Sequence, residues 1–258
     1  MSSAERCLLR VTNLSKSFGA LRALGGVDIE VCEGRIHGII GPNGSGKTTL
    51  FNCITGHLKA DGGSVHLEDT EITHLRPDLI ARMGIRRTFQ AGKIVPGLTV
   101  LENVMSGVND DVGRAAMDAF LRLPFIPSRR EAQIRTLARD ALELVGLTGS
   151  SQRFATDLVW TERQLVQIAR ALVSKPRLLL LDEPASGMGS REIEAVEEII
   201  RRIRDNGVTV VVVSHDVKML MNLSEVVTVL NFGQKIAEGT PEQVRSDPKV
   251  LEAYLGVD

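Results

Sequence analysis

No stretch of this sequence is apolar for long enough to cross a bilayer. The longest uncharged apolar runs, such as Leu178 to Leu181 and Val208 to Val213, fall far below the roughly 20 residues of a spanning helix. Neither sign of charge prevails. The chain has 31 basic and 32 acidic residues spread along its length and a formal net charge of −1, so no field draws in nucleic acid or an anionic membrane surface. The pairs Arg86-Arg87, Arg129-Arg130 and Arg201-Arg202 read as solvated helix faces. Cysteine is scarce: Cys7, Cys32 and Cys53 are odd in number and lack CxxC spacing, which argues against a disulfide framework and a zinc site. Met1 to Cys7 lack the basic-then-apolar pattern of a secretory leader, so a cytoplasmic protein is expected. What is present is an ordinary globular balance, 43% hydrophobic and 24% charged over 258 residues, enough for one large α/β domain.

Two kinds of strand pattern can be distinguished. In Val27-Asp28-Ile29-Glu30-Val31 apolar residues alternate with acidic ones, as in a strand with one wet face, and Leu8 to Val11 and Val65 to Leu67 also suit short strands. These predict an antiparallel margin. Ile36 to Ile40, Leu178 to Leu181 and Val208 to Val213 are instead nearly continuous apolar runs, which fits parallel strands covered on both faces by helices. From about residue 91 to 165 the signals are helical. Thr99-Val100-Leu101-Glu102, Ser128-Arg129-Arg130-Glu131 and Thr161-Glu162-Arg163-Gln164 each match a capping box, predicting a helical insertion. Pro124 and Pro127 break its pattern, and Gly146 ends its second helix. Near the C-terminus, Val226 to Leu230 and Lys235 to Ala237 flank a hairpin-like turn, Asn231-Phe232-Gly233-Gln234, followed by a short helical tail.

The chemistry-bearing motifs sit on this frame. Gly41-Pro42-Asn43-Gly44-Ser45-Gly46-Lys47-Thr48 matches GxxxxGK[ST] between the apolar strand Ile36 to Ile40 and the helical run Thr49 to Ile54. Glycines let the backbone wrap a polyphosphate so that amide hydrogens face it, Lys47 reaches the β and γ phosphates, and the Thr48 hydroxyl ligates magnesium. Leu178 to Leu181 runs into Asp182 and Glu183, at the strand end where a parallel sheet carries its functional residues. Asp182 would hold magnesium through its water shell, and Glu183 would polarise the water that attacks the γ-phosphate. A further apolar strand ends at Ser214-His215-Asp216, bringing His215 to the same edge, able to donate to the γ-phosphate or hold Glu183.

This motif order resembles the nucleotide-binding subunit of ATP-binding cassette transporters over nearly the whole chain, with Thr88-Phe89-Gln90 in the place of the family's Q-loop. The resemblance implies a single α/β domain of the P-loop NTPase, RecA-like kind. Its parallel core sheet has an antiparallel margin over residues 1–90 and 166–239, with an inserted α-helical subdomain at 91–165 and a helical tail at 240–258. It implies ATP and Mg²⁺ as ligands, with Gln90 at the metal and at the permease contact, and Thr49 completing the phosphate site. It also implies a stacking role for Phe18 on adenine; a core position at a strand end is the alternative for that residue. More narrowly, Asn13 to Gly19, Ser214-His215-Asp216, Gly239-Thr240-Pro241-Glu242 and Ala253-Tyr254-Leu255-Gly256 resemble the branched-chain amino acid uptake ATPases. Cargo is chosen by the permease and a binding protein, so this narrower likeness speaks to ancestry more than to substrate.

Two segments depart from the family. Leu158-Val159-Trp160-Thr161-Glu162 stands where an LSGGQ-like signature from one subunit clasps the γ-phosphate bound by the other. Val159 has no hydroxyl, Trp160 and Thr161 add bulk, and Glu162 is expected to bring negative charge toward an anion. Alternatively, Trp160 packs between subdomains and backbone amides alone make the contact. Gly189 stands where the D-loop usually has Asp or Asn. The residues that serve this subunit's own ATP, Lys47, Thr48, Gln90, Asp182, Glu183 and His215, look intact. That asymmetry predicts a heterodimer with a related ATPase that supplies an intact signature, a homodimer being the alternative. The whole would sit on membrane permease subunits at the cytoplasmic face. Cassette proteins acting on ribosomes or DNA commonly fuse two cassettes or carry coiled coils or basic arms, and none occurs here. A nucleotide sensor that does not hydrolyse ATP is the remaining alternative, and retention of Glu183 weighs against it.

Overall fold

The computed structural model describes residues 6–88, 94–108 and 129–255. Strands β1 (Cys7–Phe18) and β2 (Leu21–Cys32) form a long antiparallel hairpin. Within β2, Val27, Ile29 and Val31 are buried and Asp28 and Glu30 exposed, the outcome that a period-two pattern demands. The chain then enters a second sheet through β3 (Ile36–Ile40) and turns into helix α1 (Lys47–Ile54). It returns through β4 (Gly62–Leu67) and β5 (Thr70–Glu71), which complete a four-stranded antiparallel sheet in the order β2-β1-β4-β5. Helix α2 (Pro77–Arg82) leads to β6 (Ile85–Arg87).

The helical stretch follows, with α3 (Val100–Met105), α4 (Arg129–Leu144) and α5 (Trp160–Leu172). The main sheet resumes with β7 (Leu178–Asp182), α6 (Ser190–Asp205), β8 (Thr209–Val213), α7 (Val217–Leu223), β9 (Val226–Asn231) and β10 (Gln234–Gly239); α8 (Pro241–Ser246) and α9 (Pro248–Leu255) form the tail. Strand order is β10-β9-β3-β8-β7-β6, parallel throughout except for β10.

The main sheet separates two cores, because alternate residues of a strand face opposite sides. Leu178, Leu180, Val211 and Val213 join Leu50, Phe51 and Ile54 of α1 and the buried face of the antiparallel sheet. Leu179, Leu181, Val210 and Val212 pack on the other side against α5, α6 and α7. Helix α1 is therefore clamped between the two sheets, and the loop preceding it is held from both sides.

Local expectations fare unevenly. Thr99 makes its capping box with Glu102. Gly146, at φ +76°, ends α4, and the Leu147 amide donates back to the Leu142 carbonyl over 2.8 Å. The box expected at Thr161 is displaced: the helix begins earlier, Thr161 lies inside it, Val159 is the cap, and Glu162 accepts from the Val159 amide. Arg86 and Arg87 lie on β6 and not on a helix, and the Arg87 side chain is only 4% exposed. Phe89, Gln90, Pro124, Pro127 and Ser128 lie outside the described residues.

Candidate functional site

Gly41, Asp182 and Ser214 follow or close β3, β7 and β8, so one edge of the sheet collects the three motifs. The loop from Gly41 to Gly46 is shaped by contacts that only glycine permits. A Cβ on Gly41 would sit 2.2 Å from the Leu230 carbonyl oxygen, and Gly46, at φ +104°, would meet the Ala23 carbonyl oxygen at 2.6 Å. At the outer end of this loop, Asn43 and Gly44 are exposed, as is Thr48 in the first turn of α1, while Pro42 and Thr49 are half-buried and Ser45 is buried. Lys47 folds back over the loop, donating to the Gly41 carbonyl at 2.7 Å and the Pro42 carbonyl at 3.0 Å, with Ser45 Oγ at 3.4 Å. Burial lowers the Lys47 pKa, and the charges of Glu183 and Asp182 oppose that shift. The ammonium is thus held across the loop by its own carbonyls, with the charges of Glu183 and Asp182 acting on it.

Asp182 ends β7 with its side chain 3% exposed. Its Oδ2 accepts from Arg87 Nη2 at 2.7 Å, its amide donates to Thr88 Oγ1 at 3.3 Å, and its Oδ1 is buried with no hydrogen-bond partner among the described residues. A buried carboxylate oxygen without a donor suits a water-coordinated hard cation, and Thr48 provides an accessible hydroxyl. Among the described residues no group of three His, Cys, Asp or Glu side chains converges.

Glu183 sits at φ +51°, left-handed for a residue with a Cβ. Its amide donates to the Val213 carbonyl at 2.9 Å, which holds the strained turn in place. The carboxylate is 9% exposed; Oε2 is 2.8 Å from His215 Nδ1 and 3.4 Å from Ser214 Oγ. The structure thus brings Glu183 and His215 into direct contact and leaves the histidine ring open to solvent.

Phe18 is 47% exposed at the tip of the β1–β2 hairpin, which rules out the core position, and Lys16 Nζ lies 5.7 Å from its ring centroid. Glu162 does not project its charge outward: it pairs with Arg153 at 3.1 Å and accepts from the Val159 amide at 3.2 Å. That corrects the expected repulsion, while Val159 and Trp160 are 62% and 51% exposed at the start of α5. Between α2 and β6 on one side and α3 and α5 on the other lies a groove of about 470 Å³, lined among others by His57, Asp78, Arg86, Gln167 and Arg170. The contacts of Arg87 and Thr88 with Asp182 are not expected from the arginine pair or the Thr88-Phe89-Gln90 motif; Ile85, the apolar start of a short strand, is the available signal.

The chain matches the ABC transporter family model over residues 24–186 and the branched-chain amino acid ATP-binding cassette transporter model over residues 234–258. It is 39% identical to the high-affinity branched-chain amino acid transport ATP-binding protein LivG of Escherichia coli K12, covering 96% of this chain and 98% of that one. With BraF of Pseudomonas aeruginosa it shares 38% identity over 98% of this chain and 99% of the relative. Among solved structures, the ADP conformation of MJ1267, an ATP-binding cassette of an ABC transporter, superposes with a TM-score of 0.84 at 35% identity, covering 97% of this chain and 99% of that one. The dimeric structure of MJ0796, a bacterial ABC transporter cassette, gives 0.73 at 26% identity, covering 90% and 98%.

Proposed function

The chain belongs to the ATP-binding cassette transporter family, and from that membership we propose that it binds ATP with magnesium and hydrolyses it to drive a separate permease at the cytoplasmic face of a membrane. The observation that carries this reading is the convergence at one sheet edge of Lys47 in its loop, Asp182 with one uncommitted oxygen, and the Glu183–His215 pair. In this reading the amides of the loop from Gly41 to Gly46 and Lys47 bind the phosphates, Phe18 stacks on the base, and Thr48 and Asp182 hold the metal. Bound magnesium neutralises charge on the phosphate oxygens. Glu183 takes the proton of the attacking water while His215 fixes its carboxylate, and Gln90 serves at the metal and at the permease contact.

The permease docks in the groove between the core (residues 1–90 and 166–239) and the helical subdomain (residues 91–165). The polar side chains of Arg86, Gln167 and Arg170 are among those that line it. The cargo is a branched-chain amino acid, as the names of the relatives suggest, or a related small polar solute, and in this reading it is moved inward. The second ATPase of the complex is a related chain with an intact signature, since Val159 and Trp160 stand where that signature would clasp the opposite nucleotide.

Hydrolysis by the purified protein, with Glu183→Gln as the blank, tests this. A slow rate that rises when Val159→Ser, Trp160→Gly and Thr161→Gly are introduced together supports the heterodimer. A brisk cooperative rate in the unaltered protein would establish a working homodimer instead.

A further inference from the structure

Arg87 is a buried cation at the metal end of the site. Its guanidinium divides its donors: Nη2 goes to Asp182 Oδ2 at 2.7 Å and Nη1 to Asn52 Oδ1 at 2.6 Å, and its flat face lies 5.4 Å from the centroid of Phe51. Arg87 and Asp182 side chains are 4% and 3% exposed. Arginine normally meets a carboxylate with two parallel bonds, one to each oxygen. Here Asn52 diverts one arm, and Asp182 Oδ1 is left buried without a donor among the described residues. Burying a charge pair of this kind costs several kcal/mol of desolvation and often stabilises a fold no better than apolar packing, so stability alone gives no reason for it at a strand end.

The contacts also join three pieces of backbone. Arg87 and Thr88 leave β6 toward Gln90; Asp182 closes β7; and Asn52 and Phe51 lie on α1, whose first turn carries Thr48. We infer that Arg87 is a positioning residue for the metal. With Asn52 it holds the Asp182 carboxylate turned so that Oδ1 faces the cation, and it fixes the offset between Asp182 and Thr48. The inference rests on the assignment of Asp182 and Thr48 to magnesium made above. A simple electrostatic role would weaken magnesium by neutralising Asp182; a positioning role strengthens it, so removal of Arg87 has a sign that separates the two.

The experiment titrates Mg²⁺, and in parallel Mn²⁺ by electron paramagnetic resonance, against the full chain holding a fluorescent, non-hydrolysable ATP analogue. Arg87→Gln is expected to raise the half-saturating Mg²⁺ about tenfold, a loss of about 1.4 kcal/mol, with analogue affinity in EDTA unchanged. Arg87→Lys, which retains charge but cannot fork, should lie between. Asn52→Ala, which leaves every charge in place and frees Arg87 to take both oxygens, should also raise it. Unchanged or tighter Mg²⁺ binding in Arg87→Gln, or equal loss of analogue binding in EDTA, would overturn the inference. If Arg87→Gln does not fold, an unaltered Asn52→Ala titration overturns it alone. Asp182→Asn is the reference: normal Mg²⁺ binding there would sink the metal assignment itself, separately from the role of Arg87.

Discussion

The indole N–H of Trp160 donates to the backbone carbonyl of Ser186 across 3.2 Å. Ser186 lies three residues after Glu183, and Gly187, at φ +77°, would place a Cβ 3.8 Å from the same indole nitrogen. The start of α5 is thereby tied within one chain to the loop behind the proposed base. Trp160 is the only tryptophan in the sequence. Its emission should therefore change when ATP and magnesium bind, and the change should be absent from Trp160→Phe, which has no tryptophan. Because the ring is half exposed, Trp160→Phe should cost under about 1 kcal/mol in a urea melt; an emission spectrum indifferent to nucleotide would show that α5 does not move.

The contact between His215 and Glu183 makes a second expectation specific. Glu183→Gln should lower kcat by about 10²-fold or more with ATP binding retained. His215→Ala should lower kcat with little change in ATP affinity, because the histidine acts on the carboxylate. Steady-state rates beside equilibrium binding of a fluorescent ATP analogue decide this. A parallel loss of binding in His215→Ala would place the ring on the phosphate instead.

His37 lies at 2% exposure on β3, with Nε2 2.8 Å from Thr228 Oγ1, which in turn donates to Glu238 Oε2 at 2.7 Å. Burial pushes its pKa from 6.5 down to about 4, against the attraction of Glu238 and with a small added push from Lys235. Between those two values the unfolded chain binds a proton that the folded chain refuses, so stability rises with pH from about 4 to about 6.5 and this contribution is level above. Urea midpoints at about pH 5 and pH 7 should differ less in His37→Gln than in the unaltered protein. Equal differences would assign the slope to other groups.

The phosphate loop predicts its own intolerance. Gly41→Ala forces a methyl against the Leu230 carbonyl oxygen, whereas Gly149→Ala, in a surface turn, meets nothing within 4 Å. The first should lower thermal stability by about 1–3 kcal/mol and weaken ATP binding; the second should do neither. Calorimetry and nucleotide titration of both variants make the comparison.

Residues whose chemistry is written locally were legible in the sequence. The loop from Gly41 to Gly46 follows an apolar strand as expected, Asp182 closes another with Glu183 next to it, and Thr99 finds its Glu102 three residues on. What escaped depends on distant partners. Arg87 looks like one of several arginine pairs until β6 is laid beside β7 and its side chain reaches Asp182, 95 positions later. Glu162 looks like a charge facing an anion until Arg153 turns toward it. Side-chain pairing decided both, across 95 positions for Arg87 and across nine, beyond one helical turn, for Glu162.

Among the described residues, strand β3 pairs with β8 and β9 alone. During synthesis the segment carrying the phosphate loop therefore emerges early but has no neighbour to zip against until residues 209–231 have left the ribosome. Long-range parallel pairing of this kind is slow and leaves apolar strands uncovered meanwhile. The nascent chain carries this strand unpartnered until residues 209–231 emerge, so chaperone dependence and aggregation on overproduction are to be set by how soon those strands join it.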